Sequence, residues 1–274
     1  MFTFNYGKKL SLKAKTVIYA ENAPVSPNDE TVYFIIQGKA MIARRTSETF
    51  FRMGMAENML MGLQDSFETP ARLTSAITLE DSEIYSWKPK DFFKNISVDI
   101  LLARATTFSL CRELRFLNEK RERSFANGVD ETEGKFEVSE DMSTVGALYG
   151  LAFQKENEAI PDEIVAMFGK TFEAGETIIT ENDLTDEIYI LYEGRVEVSR
   201  GGTSICTMEA GEIFGEMSHF EKKPRAATIM AQIPSKTLKL EPKNFNVLYQ
   251  LRPSWSINLL KSLSRRITAA YARM

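Results

Sequence analysis

Histidine and cysteine are nearly missing from this 274-residue chain, with one of the former and two of the latter. A lone histidine, His219, cannot assemble a metal centre, which needs several convergent ligands. Haem ligation is disfavoured for the same reason. Cys111 and Cys206 have no metal-ligand spacing and read as reduced thiols rather than a disulfide framework. No run approaches the roughly 18–20 apolar residues of a membrane span. The opening Met1-Phe2-Thr3-Phe4-Asn5-Tyr6 lacks the basic start and apolar centre of a secretion signal. A net charge of −4 carries no nucleic-acid footprint. There is no nucleophile–base pair and no Walker or dinucleotide glycine motif, so the expectation is a cytoplasmic protein that is not an enzyme. Its length suits two domains with connecting helices, and 43% hydrophobic residues suffice for ordinary cores.

The densest chemistry lies in Phe214-Gly215-Glu216-Met217-Ser218-His219-Phe220-Glu221-Lys222-Lys223-Pro224-Arg225-Ala226-Ala227-Thr228. Gly215 lets the backbone approach a ligand and opens a short helical turn whose free N–H groups favour an anion. Arg225 adds a planar, permanently charged fork matched to two phosphate oxygens. Glu216 cannot hold phosphate, but its carboxylate accepts hydrogen bonds, for instance from a sugar hydroxyl. Phosphate donors beside a hydroxyl acceptor describe a nucleotide pocket.

This segment resembles the phosphate-binding cassette of cyclic nucleotide-binding domains, whose pattern runs F-G-E-x-A-L, a variable loop, then P-R-A-A. Phe172 to Asn182, with Gly175 at a turn, resembles the first strands of that domain. Ile188 to Tyr192 and Val196 to Val198 read as strands around Gly194, rich in β-branched and aromatic residues. Thr228 to Ala231 and Thr237 to Leu240 supply two more, and Glu241-Pro242 opens a helix. The resemblance covers about residues 166–274. It departs at Ser218 and His219, where the family has Ala and Leu. A phosphate contact through the backbone N–H of Ser218 tolerates the change, and His219 is expected to pack or face solvent beside the loop.

A repeat lies in the first half. Lys13 to Asn22 follows the pattern of Glu173 to Asn182, and Phe34 to Lys39 echoes Ile190 to Arg195. Gly62 precedes Arg72 by ten residues, as Gly215 precedes Arg225. Trp87-Lys88-Pro89-Lys90-Asp91-Phe92 matches Leu240 to Phe245, and the order of the four matches is the same. The first copy is degenerate: Leu63 stands where Glu216 stands. Arg72 alone could take a small anion or a neighbouring carboxylate, and Gln64 could partly replace the missing acid. A first pocket for a different anionic ligand stays open as the alternative.

The implied fold is mainly β with helices (α+β): two jelly-roll-like barrels joined and flanked by α-helices. Residues 1–96 form the degenerate barrel, 97–165 the connecting helices and 166–274 the second domain. Val98 to Ser124 lacks Gly and Pro and places Leu101, Leu102, Ala105, Phe108, Leu110, Leu114 and Leu117 as a long amphipathic helix. Residues 127–143, with two glycines and six acids, read as a linker. Thr144 to Glu158 and Pro161 to Phe168 read as helices entering the second barrel. After a break at Pro253 a last helix runs to about Arg273, with Ile257, Leu260, Ile267 and Tyr271 on one face.

The resemblance implies a receptor for a cyclic purine mononucleotide, with no cofactor or metal. Its ligand-binding residues are Phe214, Gly215, Glu216, Met217, Ser218, Arg225, Ala226 and Ala227. Arg225 would clamp the cyclic phosphate with backbone N–H groups near Met217, Ser218 and Ala226, and Glu216 would accept the ribose 2′-OH. The family often has Thr after the arginine where cyclic GMP is preferred, so Ala226 favours cyclic AMP over cyclic GMP. Pro224 to Thr228 resembles the tandem domains of cyclic-AMP-dependent kinase regulatory subunits more than bacterial catabolite activators. No helix-turn-helix is expected after the last helix. Arg44-Arg45-Thr46-Ser47 fits an R-R-x-S inhibitory pattern but follows the Gly38 turn, where a strand or loop is expected. The signal would pass by helix rearrangement to an effector protein, with pairing of two chains through the long helices as an option. The rivals are a ligand-free interaction scaffold on the same fold and a kinase-type regulatory subunit.

Overall fold

A computed structural model of the chain describes residues 2–45, 50–122, 160, 162–251 and 253–273. The chain divides into two units: Met1–Val138 with Leu260–Met274, and Ser139–Leu259. The linker at 127–143, the helix at Thr144 to Glu158, and Thr46-Ser47 lie outside the described residues.

The first unit carries β1 (Lys8–Leu12), β2 (Val17–Tyr19), β3 (Val32–Gln37), β4 (Ala40–Arg45), β5 (Phe50–Met55), β6 (Leu60–Met61), β7 (Ser75–Thr78) and β8 (Ser82–Trp87). They form two antiparallel sheets in the orders β1-β8-β3-β6 and β2-β7-β4-β5. Its helices are α1 (Asp65–Glu68), α2 (Pro89–Ile96) and α3 (Ile100–Glu122). The second unit repeats the plan after α4 (Asp162–Phe168). Its strands are β9 (Gly169–Phe172), β10 (Thr177–Ile179), β11 (Ile188–Glu193), β12 (Arg195–Arg200), β13 (Thr203–Glu209), β14 (Ile213–Phe214), β15 (Thr228–Ala231) and β16 (Ser235–Leu240). The sheet orders are β14-β11-β16-β9 and β10-β15-β12-β13. Subtracting eight from each number returns the first unit, and both are the jelly-roll order. Even the irregularities repeat. Register shifts fall between Val17 and Tyr19 and again between Thr177 and Ile179, then between Ile35 and Gln37 and again between Leu191 and Glu193. Each eight-stranded unit is two open sheets rather than a closed barrel. The hairpin partner β13, built around Gly201-Gly202, escapes a motif-based reading.

Strand alternation accounts for the cores. In the second unit Ile179, Tyr189, Leu191, Val196, Met208, Phe214 and Ile229 pack together, each large aliphatic contributing about 1.5–3 kcal/mol. Helices α5 (Glu216–Glu221), α6 (Pro242–Leu251) and α7 (Pro253–Tyr271) follow, and the last stretch of α7, from Leu260, belongs to the first unit.

Helix α3 differs from the amphipathic expectation. It is buried around most of its circumference, polar Thr106, Thr107 and Ser109 included. Those hydroxyls donate back to the carbonyls of Leu102, Ala103 and Ala105, which removes the cost of burying them. Glu113 is buried on the same helix. Its Oε1 accepts from Tyr271 Oη at 2.7 Å and from Gln64 Nε2 at 3.2 Å. The Tyr271 ring meets Phe51 edge-on, with Arg44 over its face.

Burial pushes the Glu113 carboxyl up to about 7, against the hydrogen bond from Tyr271. Between its ordinary value of 4.5 and about 7 the folded unit holds a proton that the unfolded chain releases. Stability of the first unit should therefore fall as pH rises through that window, by roughly 3 kcal/mol in all. Urea titrations reported by Trp87 fluorescence, with Trp255→Phe silencing the second unit, should show the slope. Glu113→Gln should flatten it, and an unaltered slope would place its origin elsewhere.

Candidate functional site

Arg225 enters the second unit's sandwich through a main-chain clasp. Its N–H donates to the Asp183 carbonyl at 2.8 Å, and its carbonyl accepts from the Asn182 N–H at 3.0 Å. Asn182 holds a positive φ of 68°, which asparagine tolerates better than most residues. Opposite the clasp, β14 turns into α5 at Gly215, φ 79°. A Cβ there would stand 2.8 Å from the Glu187 carbonyl oxygen and 2.9 Å from Arg225 Nη1, so only glycine fits.

The guanidinium is 2% exposed. Nε donates to Thr185 Oγ1 at 2.9 Å, Nη1 to the Gly215 carbonyl and Ser218 Oγ, both at 2.9 Å, and Nη2 to the Glu187 carbonyl at 2.9 Å and its Oε2 at 3.3 Å. Its five N–H groups thus meet five acceptors. Lys239 Nζ lies 2.7 Å from Glu187 Oε1. Burial lowers the Arg225 guanidinium from its ordinary value, opposed by Tyr189, Glu187, Asp186 and Glu216. Burial would raise the Glu187 carboxyl, but the Lys239 hydrogen bond and both cations outweigh it, and the group lies below its ordinary value. Phe214 stacks on Tyr189 at 5.3 Å, while Glu216, Met217 and Ser218 are buried on α5. Ala226 and Ala227 lead half-buried into β15. The segment's residues therefore gather around one buried cation, with Glu216 only 1% exposed.

Three participants escaped the reading of the sequence: Thr185, Glu187 and Lys239. The signal available was the polar triplet Thr185-Asp186-Glu187 immediately before an apolar strand. His219 is buried, in edge contact with Phe220 and Phe245, its Nε2 3.2 Å from Asn246 Oδ1. Among the described residues no group of three or more His, Cys, Asp or Glu could hold a metal ion, and no helix is long and apolar enough to cross a membrane.

The first unit repeats the frame with different contents. Arg72 donates its N–H to Ala23 and accepts from Asn22, itself at φ 63°, and Gly62 has φ 79°. Nη1 donates to the Thr31 carbonyl at 2.8 Å, as Arg225 does to Glu187. Here the carboxylate partner is Asp65, on α1 (Oδ2 3.2 Å), while Gln64 turns away to Glu113. The structure thus gives Arg72 a neighbouring carboxylate, Asp65, and engages Gln64 with Glu113.

Residues 169–252 match the family model described as cyclic nucleotide-binding domain. That segment of the chain is similar to cyclic nucleotide-binding domains. Over 67 residues the chain is 40% identical to a cGMP-dependent protein kinase of Toxoplasma gondii, covering 24% of this chain and 7% of that one. Over 90 residues it is 32% identical to a cAMP-dependent protein kinase regulatory subunit of Yarrowia lipolytica, covering 33% and 24%. The matches thus span under a quarter of these relatives. Among solved structures, cAMP-bound PfPKA-R (141–441) is 19% identical with a TM-score of 0.36, covering 89% of this chain and 73% of that one.

Gly215→Ala should lower the second unit's melting transition. A left-handed φ costs an L-residue roughly 1–2 kcal/mol, and the Cβ also pushes against Arg225. Calorimetry checks this, and an unchanged transition would show that the turn relaxes freely.

Proposed function

We propose that the second unit is a receptor for a cyclic purine mononucleotide, cyclic AMP favoured over cyclic GMP, and that it is not an enzyme. The observation that carries the reading is the buried Arg225, preorganised beside buried Glu216 within the family-matched segment. A cyclic phosphate takes its place by displacing neutral, rotatable hydroxyl partners of the guanidinium, Ser218 foremost, and exchanges a neutral acceptor for a charged one. Glu187, held by Lys239, keeps the fork in plane throughout. Glu216 accepts the ribose 2′-OH. Ala226 offers no hydroxyl to a guanine, which favours adenine. The relatives matched here are named as cGMP-dependent and cAMP-dependent, so both nucleotides belong in the test.

Binding is relayed to an effector protein through the helices that follow β16. A protein kinase is the effector class these relatives support, and a kinase-type regulatory subunit is the second reading. A chain with two cysteines, Cys111 and Cys206, fits a reducing, cytoplasmic setting.

Isothermal titration should give one site per chain, tighter for cyclic AMP than for cyclic GMP. Arg225→Ala should weaken it about thirtyfold to several thousandfold, from the roughly 2–5 kcal/mol of a buried charge left without its partner. Glu216→Ala should weaken the ribonucleotide about ten- to hundredfold, following roughly 1.5–3 kcal/mol for a charged acceptor, and the 2′-deoxy nucleotide much less. Equal losses for both sugars would reduce Glu216 to a loop brace, and no binding at millimolar nucleotide would end the receptor reading.

A further inference from the structure

The two units differ most informatively in where their arginine finds its acid. In the second, Glu187 meets Arg225 from the entry to β11, and the loop position three residues after the glycine holds neutral Ser218. In the first, Thr31 stands at the strand entry, and the loop position holds Asp65. The acid has changed sides.

Its two oxygens are used separately. Asp65 Oδ2 accepts from Arg72 Nη1 at 3.2 Å, and Oδ1 accepts from the main-chain N–H of Leu73 at 3.2 Å. A guanidinium and the amide of the next residue, each on its own oxygen, are the donors an external oxyanion would seek. The side chain is fully buried, and the guanidinium is covered by Tyr19 at 4.2 Å and Tyr33 at 5.5 Å. Tyr19 occupies the strand position that Ile179 holds in the second unit. Leu63 adds no acceptor for a hydroxyl.

We propose that Asp65 is a tethered anion: it fills the oxyanion seat of the first unit, so this unit keeps its arginine paired with an acid and needs no external anion. Replacing it by the serine that the second unit carries at that position uncovers a site for inorganic phosphate. Burial holds the Asp65 carboxyl above its ordinary value, while Arg72 and the Leu73 amide pull the other way.

The test is thermal unfolding of the full chain, with Trp87 as reporter in a Trp255→Phe background. Asp65→Ser should lower the first unit's transition, and inorganic phosphate should restore about 3–6 °C at about ten times its dissociation constant. Wild type at the same phosphate corrects for general salting effects and should show no specific gain. Adding Arg72→Ala to Asp65→Ser should abolish the restoration. Asp65→Ala, which also empties the seat, should respond as Asp65→Ser does. A variant unfolded without phosphate that folds on its addition is the same result in stronger form. The proposal is overturned if phosphate leaves both variants unmoved or unfolded, stabilises wild type equally, or still acts without Arg72.

Discussion

Burying a guanidinium is the constraint on which both halves are built. Taking an ion out of water costs several kcal/mol unless its hydrogen bonds are met, and each half does it at the matching position, with Arg225 at 2% and Arg72 at 5% exposure. The local architecture serves that need. A left-handed asparagine holds the arginine's main chain, a left-handed glycine brings its own carbonyl to Nη1, and the entry to the third strand supplies a second carbonyl. Carbonyl oxygens satisfy donors without neutralising charge, so each site also requires an acid. The choice of acid separates the halves.

In the second unit the acid sits at the strand entry and is shared with Lys239, so two cations compete for one carboxylate. The loop side is left with the Gly215 carbonyl and the Ser218 hydroxyl, which rotates away cheaply. In the first unit the acid approaches from the loop itself and two tyrosines cover the cation. One backbone plan therefore supports an arginine whose acid comes from the strand entry and an arginine whose acid comes from the loop, through substitutions at positions 31 and 65.

Much of this was legible in the sequence because turns leave local marks. Gly38, Gly62, Gly194 and Gly215 all adopt positive φ, and their spacing disclosed the duplication and the strand order around it. The arginine partners left no such mark. Glu187 precedes its strand among other acids, and Asp65 lies one residue beyond Gln64, with only three-dimensional register deciding which of the two faces Arg72. Helix α3 misled for a different reason. Threonine and serine count as polar in a periodicity, yet here they return their hydroxyls to the preceding turn and travel into the core. Tyr271 was placed on the apolar face of the last helix, but its hydroxyl bond to Glu113, 158 residues away, has no local signature.

That last bond bears on how the chain is made. The first unit is discontinuous: its core includes Leu260, Leu263, Ile267 and Tyr271, which emerge from the ribosome only after the whole second sandwich. Domains ordinarily fold in the order of their synthesis. Here the N-terminal sandwich has all eight of its strands early, yet Glu113 and the Phe51 ring lack their Tyr271 partner until the last helix is made. The unit that begins the chain is thus the one whose full set of contacts depends on the last residues to be synthesised.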